Sequence, residues 1–241
     1  MWLYRVNAAV GQLVRPYWRL GLTGAVEAIP REGPLIVAAN HQSYLDPWFI
    51  GIVFPRPIRY LINSEWYHRS PLWRALFRAW GTEPVRSRSR ETIEAVCGIL
   101  RRGEVVGIFP EGRISLDGRL QPFRPGLARI AALSGAPVLP VAIRGAYEAF
   151  PKTARVPRPR EVKVHVGVPL VFEGAPWPTP PPRELAERFR TRVFEEIRRL
   201  AGQSGPASAP TLRWAPAAPP AGGGGAPRPS RQARPPARGD R

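Results

Sequence analysis

Short, wholly apolar runs alternate with longer stretches whose apolar residues recur every three or four positions. That alternation most constrains what this chain can fold into. Pro34 to Ala39 reads as a buried strand, residues 47–54 as a short helix opened by Pro47, and Ile58 to Ile62 as another strand. Residues 65–79 read as a helix, 82–85 as a short strand, and 89–102 as a helix stopped at Gly103. Glu104 to Phe109 is a strand, 126–134 a helix stopped by Gly135, and Val138 to Ile143 a strand. Glu161 to Val166 alternates apolar with polar and reads as a half-exposed edge strand. Strands interleaved with helices predict an α/β domain with a largely parallel central sheet flanked by helices.

The two ends differ from this middle. Residues 2–20 predict an amphipathic helix with Trp2, Leu3, Val6, Val10, Leu13, Val14, Tyr17 and Trp18 as the apolar set. Arg5, Arg15 and Arg19 lie between them, the arrangement of a helix at a membrane interface. The alternative is a helix that caps the domain core, and Gly11 and Pro16 weaken a continuous helix. Residues 174–182 form a proline-rich connector to a last amphipathic helix over 183–201. Beyond it the chain is mainly Pro, Ala, Gly and Arg, with almost no core-forming residues. The expected division is a membrane-associating segment over 1–24, a domain over 25–201 and a disordered tail over 202–241.

Charge narrows the partners. The 241 residues carry 36 basic and 18 acidic side chains, a net +18, and the only lysines are Lys152 and Lys163. Such a field attracts phospholipid headgroups, nucleic acid or an acidic carrier protein. Cys97 is the single cysteine, so an intrachain disulfide and a four-thiolate zinc site are excluded. It falls on the stripe Ile93, Val96, Cys97, Leu100 and is expected to pack as a small hydrophobe. No stretch reaches the roughly 20 apolar residues of a membrane span. No cleavable leader is recognisable either, and a reduced, cytoplasmic setting is expected.

Two polar clusters follow buried strands. The first is Asn40-His41-Gln42-Ser43-Tyr44-Leu45-Asp46. Residues at the carboxyl end of a parallel strand line the crevice where α/β proteins bind ligands. On a continuous helix His41 and Asp46 would point about 140° apart. They meet only if His41 lies in a loop that folds back ahead of a helix starting at Asp46-Pro47. Asp46 would then be the N-cap and Pro47 the first helical residue. The pair therefore has two readings, a helix cap beside a loop histidine or an imidazole oriented by a carboxylate. The second cluster is Phe109-Pro110-Glu111-Gly112-Arg113-Ile114-Ser115. Its glycine allows close backbone approach and Arg113 suits a phosphate; a tight turn with a solvated charge pair is the alternative. Ser43 and Ser115 lack the Gly-x-Ser-x-Gly setting of a nucleophile. Ser43 is expected to cap the helix or contact substrate. His68 and His165 lie in unrelated segments, so no metal site is expected.

These blocks, in this order, resemble the glycerolipid acyltransferase family, which includes the lysophosphatidate acyltransferases. Asn40-His41-x-x-x-x-Asp46 and Phe109-Pro110-Glu111-Gly112 carry the resemblance. Gly81 to Arg86 and Ala136 to Ile143 resemble two further blocks, and the likeness spans roughly residues 30–145. It implies acyl transfer from acyl-CoA or acyl carrier protein to 1-acyl-sn-glycerol-3-phosphate, with no cofactor. His41 would be the general base and Asp46 its orienter. Arg86 would bind acceptor phosphate, with Asn40, Ser43, Glu111, Gly112 and Arg113 around the substrate. An anionic membrane surface is the implied partner rather than nucleic acid, with the protein peripheral on the cytoplasmic face of the cell membrane. The chain departs from the family once: Arg113 and Ile114 stand where Thr-Arg is usual. That departure bears on the acceptor headgroup and motivates a second reading, transfer to another lyso-lipid such as a lyso-ornithine lipid or lysophospholipid. A basic nucleic-acid binder, suggested by charge alone, is the distant third.

Overall fold

The computed structural model describes residues 9–79, 82–85 and 90–203. The expected helix over 2–8, Arg86 and the tail from 204 onward lie outside these residues. Seven strands form one sheet in the order β1-β7-β6-β2-β5-β3-β4. They are β1 (Gly21–Gly24), β2 (Leu35–Ala39), β3 (Ile58–Asn63), β4 (Thr82–Val85), β5 (Val105–Ile108), β6 (Val138–Arg144) and β7 (Lys163–Val166). β2 to β6 run parallel, whereas β7 is antiparallel to β6 and parallel to β1. The α/β class with a largely parallel sheet therefore holds.

β2 is the centre, and all five of its residues are buried. With a side-chain period of two, Leu35, Val37 and Ala39 pack into the core on one face, Ile36 and Ala38 into the core on the other. The first core is closed by α1 (residues 9–14), the 3-10 turn Arg15–Trp18 and α2 (Asp46–Val53). The second is closed by α5 (Arg90–Arg101), α6 (Gly126–Ser134) and α8 (Arg183–Leu200). Between them in sequence lie α3 (Ser64–Tyr67), α4 (Pro71–Ala79) and, after β6, α7 (Ala146–Ala149). Cys97 is buried on α5, and burial pushes its thiol up. Among the described residues no helix is long and apolar enough to cross a membrane.

Four expectations change. The helix expected through residue 20 gives way to a 3-10 turn at Arg15 and ends at Arg19, whose φ is 41°. Pro16, which has no N–H to give, sits in that turn. Trp18 turns inward and meets Trp48 and Phe49 edge to face. Residues 21–24, placed by sequence with the N-terminal segment, are a strand of the sheet. They covered β7 unannounced, because Gly-Leu-Thr-Gly shows no apolar alternation. The strand expected at the edge, β7, is consequently interior, between β1 and β6. The helix expected over 65–79 breaks at His68–Ser70, because the residue before Pro71 is driven out of the helical region.

Gly107 on β5 pairs in register with Tyr60 on β3. A Cβ at 107 would fall 2.2 Å from the Tyr60 ring. That ring is buried and stacks on Phe109, which reaches the site described next. Gly107→Ala is expected to overpack this point and destabilise the fold by about 1–3 kcal/mol. A lower urea midpoint at unchanged slope is the signature to look for.

Candidate active site

The chain leaves β2 at Asn40, a buried residue whose amide is held by one backbone unit. Its Nδ2 donates to the Ile143 carbonyl at 3.0 Å, and its Oδ1 accepts from the Ile143 N–H at 2.7 Å. Asn40 was expected at the substrate; here it ties the end of β2 to the end of β6.

His41 follows in the loop, as the fold-back reading requires. Its Nδ1 lies 2.8 Å from Asp46 Oδ2. The same oxygen accepts from the Gln42 N–H at 2.6 Å and the Ser43 N–H at 2.8 Å. Asp46 is wholly buried, whereas the His41 side chain is 17% exposed. The cap reading needs correction: Asp46 is the first residue of α2, and Leu45 is the N-cap. Its carboxylate turns back to the preceding loop rather than to the N–H groups of its own helix. Ser43 does not cap the helix with its hydroxyl either; that oxygen accepts from the Leu45 N–H at 3.1 Å, within the tight turn. The imidazole lies flat on Phe109, with centroids 4.1 Å apart, and Phe109 in turn stacks on Tyr60. A ring held by Nδ1 on a carboxylate and by one face on a phenyl has little freedom to turn. With its Nδ1–H donated to the Asp46 carboxylate, the neutral ring leaves Nε2 with a free lone pair.

Glu111 comes from the loop after β5 and is 3% exposed. Its Oε1 accepts from the His41 N–H at 2.7 Å, and its Oε2 from the Gln121 N–H at 2.8 Å. It was expected among the substrate ligands; both of its oxygens instead fasten one loop to the other. Burial pushes its carboxyl up to about 8. The two backbone donors and Arg113 pull the other way, and the charge on Asp46 adds to the rise.

Residues 112–121 wrap back over the histidine loop. The Ser115 N–H donates to the His41 carbonyl at 2.8 Å. Ser115 Oγ, buried, lies within hydrogen-bond reach of the Asp117 carboxylate and the Arg119 carbonyl. Neither Ser43 nor Ser115 therefore stands as a nucleophile activated by His41. The Gly118 carbonyl accepts from the Gln42 side chain and from that of Gln203, at 2.5 and 3.0 Å. Gln203 Oε1 accepts from the Leu120 N–H at 2.9 Å. Gly112 has φ 68°, and a side chain there would strike Arg124. Arg124 Nε donates to the Glu111 carbonyl at 3.3 Å, and Arg113 is exposed beside it. Arg124 and Gln203 were not singled out from sequence, and Gln42 and Phe109 only as members of their clusters. Phe109 opens a recognisable block, but nothing in the local pattern marks Arg124 or Gln203. Of the remaining histidines, His165 Nδ1 lies 2.7 Å from Thr23 Oγ1, and burial, then Arg144 and Lys163, lower its pKa. His68 is exposed. Among the described residues no three His, Cys, Asp or Glu side chains group as metal ligands.

Comparison with known proteins adds to this geometry. The Acyltransferase family profile matches residues 24–144. The 1-acyl-sn-glycerol-3-phosphate acyltransferase of Neisseria gonorrhoeae is 35% identical over 155 residues, 63% of this chain and 60% of that protein. That of Bacillus subtilis is 28% identical over 134 residues, 52% of this chain and 66% of that one. The chain thus spans about three fifths of the length of the first of these relatives. The crystal structure of the 1-acyl-sn-glycerophosphate (LPA) acyltransferase PlsC from Thermotoga maritima superposes with a TM-score of 0.64 at 26% identity. The match covers 83% of this chain and 78% of that one.

Two outcomes follow from the clamps. Glu111 keeps its proton in the folded chain up to about 8, whereas the unfolded chain releases it near the ordinary 4.5. Between those values the unfolded state binds fewer protons, so stability falls as pH rises. Urea midpoints across this range should decline in the wild type, and a Glu111→Gln variant should lose that part of the slope. Gln203→Leu removes the acceptor for the Leu120 N–H. Hydrogen exchange at Leu120 is expected to accelerate about tenfold, the equivalent of one ordinary hydrogen bond.

Proposed function

Because the chain belongs to the acyltransferase family, we propose that it moves a fatty acyl group from acyl-CoA or acyl carrier protein to the free hydroxyl of 1-acyl-sn-glycerol-3-phosphate, giving phosphatidate. The relatives named for that reaction support the acceptor. The contact that carries the proposal is His41 Nδ1 on the buried Asp46 carboxylate, with the other side of the ring left accessible.

His41 Nε2 takes the proton from the acceptor hydroxyl as its oxygen attacks the thioester carbonyl. Asp46 holds the imidazole tautomer and stabilises the imidazolium that forms, the part an acid plays in serine hydrolase triads. The tetrahedral intermediate collapses, the carbon–sulfur bond breaks, and the imidazolium returns its proton to the leaving thiolate. The two substrates enter and leave with all atoms accounted for, and no cofactor takes part. General base catalysis supplies typically 10²–10⁴-fold, and orientation of the acceptor the rest.

The acceptor phosphate is assigned to Arg113, with Arg86 as the family resemblance implies. Arg124, whose side chain packs over Gly112, is a further cation at the same turn. Glu111, Asn40 and Ser43 support the two loops from below. The enzyme works peripherally on the cytoplasmic face of the cell membrane, where its lipid acceptor resides. Ile114, standing where the family usually has arginine, favours a second acceptor reading, another lyso-lipid with the same chemistry.

Labelled acyl-CoA and acyl carrier protein, each offered with a panel of lyso-lipids, test both readings. Transfer to lysophosphatidate is expected to dominate; dominance of another lyso-lipid selects the second reading, and transfer to none overturns both. His41→Ala is expected to lose 10²–10⁴-fold or more in rate with an unchanged circular dichroism spectrum. Near-normal turnover in that variant would remove His41 from the mechanism.

A further inference from the structure

β2, β5 and β6 are parallel and end at Ala39, Ile108 and Arg144. His41 and Glu111 follow the first two. β7 is antiparallel to β6 and pairs Lys163 with Arg144, and β1 pairs Gly21 with Lys163. The chain therefore enters both β1 and β7 at the end of the sheet that bears His41. Two segments are brought there, α1 with its 3-10 turn and the loop that precedes β7. They are tied together. The Tyr17 hydroxyl donates to the Pro157 carbonyl at 3.1 Å, Trp18 Nε1 to the Arg158 carbonyl at 3.1 Å, and the Val162 N–H to the Trp18 carbonyl at 2.9 Å.

Residues 151–160 contain Lys152, Arg155, Arg158 and Arg160 and no acidic residue. All four cations are exposed. None forms an ion pair with a described residue, whereas arginines on α8 pair with neighbouring glutamates. Between them Val156 is 71% exposed. Beside them on α1 and the 3-10 turn, Leu13 is 82% exposed and Tyr17 48%. Tyr44, Leu72 and Leu116 are exposed too, on segments that leave β2, β3 and β5 at this same end. Val168 and Val171, which follow β7, are at the other end.

We propose that the 151–160 loop and the exposed side of α1 seat the catalytic end of the sheet on an anionic lipid bilayer. Nucleic acid and an acidic carrier protein would both use the cations, but neither accounts for bare Leu13 and Val156 among them. A bilayer uses both, apolar side chains below the headgroups and guanidinium groups at the phosphates. The orientation also delivers His41 to the surface where a lyso-lipid hydroxyl lies. The proposal rests on the acyl-transfer reading for its purpose and adds the surface that reading lacks.

The full chain should be sedimented with phosphatidylcholine vesicles, with and without phosphatidylglycerol. Binding is expected to need the anionic lipid and to weaken with salt. With about 1 kcal/mol per surface cation, the Arg155→Gln/Arg158→Gln/Arg160→Gln variant should partition on the order of 100-fold more weakly. Val156→Asp should also weaken partitioning. Transfer to a short-chain acceptor in detergent micelles should be unchanged in both. Equal binding of wild type and triple variant to anionic vesicles overturns the proposal, as does loss of transfer in micelles. A triple variant that loses binding to RNA or acyl carrier protein but keeps vesicle binding overturns it as well. Vesicle binding that depends on the loop, without transfer to any lyso-lipid, upholds this surface and overturns the acyl-transfer reading.

Discussion

Asp46 Oδ2 receives the His41 imidazole and two successive backbone N–H groups within 2.6–2.8 Å. Three donors converge on one buried oxygen only if residues 41–43 curl around it. The curl sets the direction of the imidazole and of the helix that Asp46 begins. A buried carboxylate is tolerable in an apolar setting when hydrogen bonds replace its water; here the loop supplies them to Oδ2, whereas Oδ1 is buried without a partner among the described residues. Orientation of the histidine and the turn from β2 into α2 are thus one interaction. Removing it would disturb both.

Glu111 repeats the device at longer range. It binds the His41 N–H on one side and the Gln121 N–H on the other, so the second loop is cut to fit the first. Phe109, two residues earlier, places its ring under the imidazole, and Tyr60 supports Phe109 because Gly107 leaves room. The ring is therefore braced along its Nδ1 edge by a carboxylate and across its face by aromatic carbon. The Nε2 edge is what these contacts leave open.

Much of this was legible in the sequence. β2, β5 and β6 announce themselves because strands buried on both faces must be apolar throughout. His41 and Asp46 stand out because polar residues close such a run. The role of Asp46 was only half legible, since spacing cannot say whether a carboxylate turns toward its own helix or back to the loop. β1 was invisible: two of its four residues are glycine, and its place depends on β7 rather than on its own pattern. The links made by Asn40, Glu111 and Gln203 were illegible for a related reason. Their bonds reach partners 103, 70 and 85 residues away, beyond any local periodicity.

The pairing of β1 with β7 also sets an order of events during synthesis. Among the described residues β1 lies at the edge of the sheet with β7 as its one strand neighbour; Thr23 meets His165 142 residues later in the chain. At about 5–20 residues per second, a ribosome needs roughly 7–30 s to deliver that partner. For that interval the N-terminal segment has left the ribosome without its place in the sheet, while Trp18 still lacks the Val162 N–H that later closes over it. Loops this long close slowly, so the edge carrying Leu13 and Tyr17 joins the domain late, after the parallel centre has the means to form.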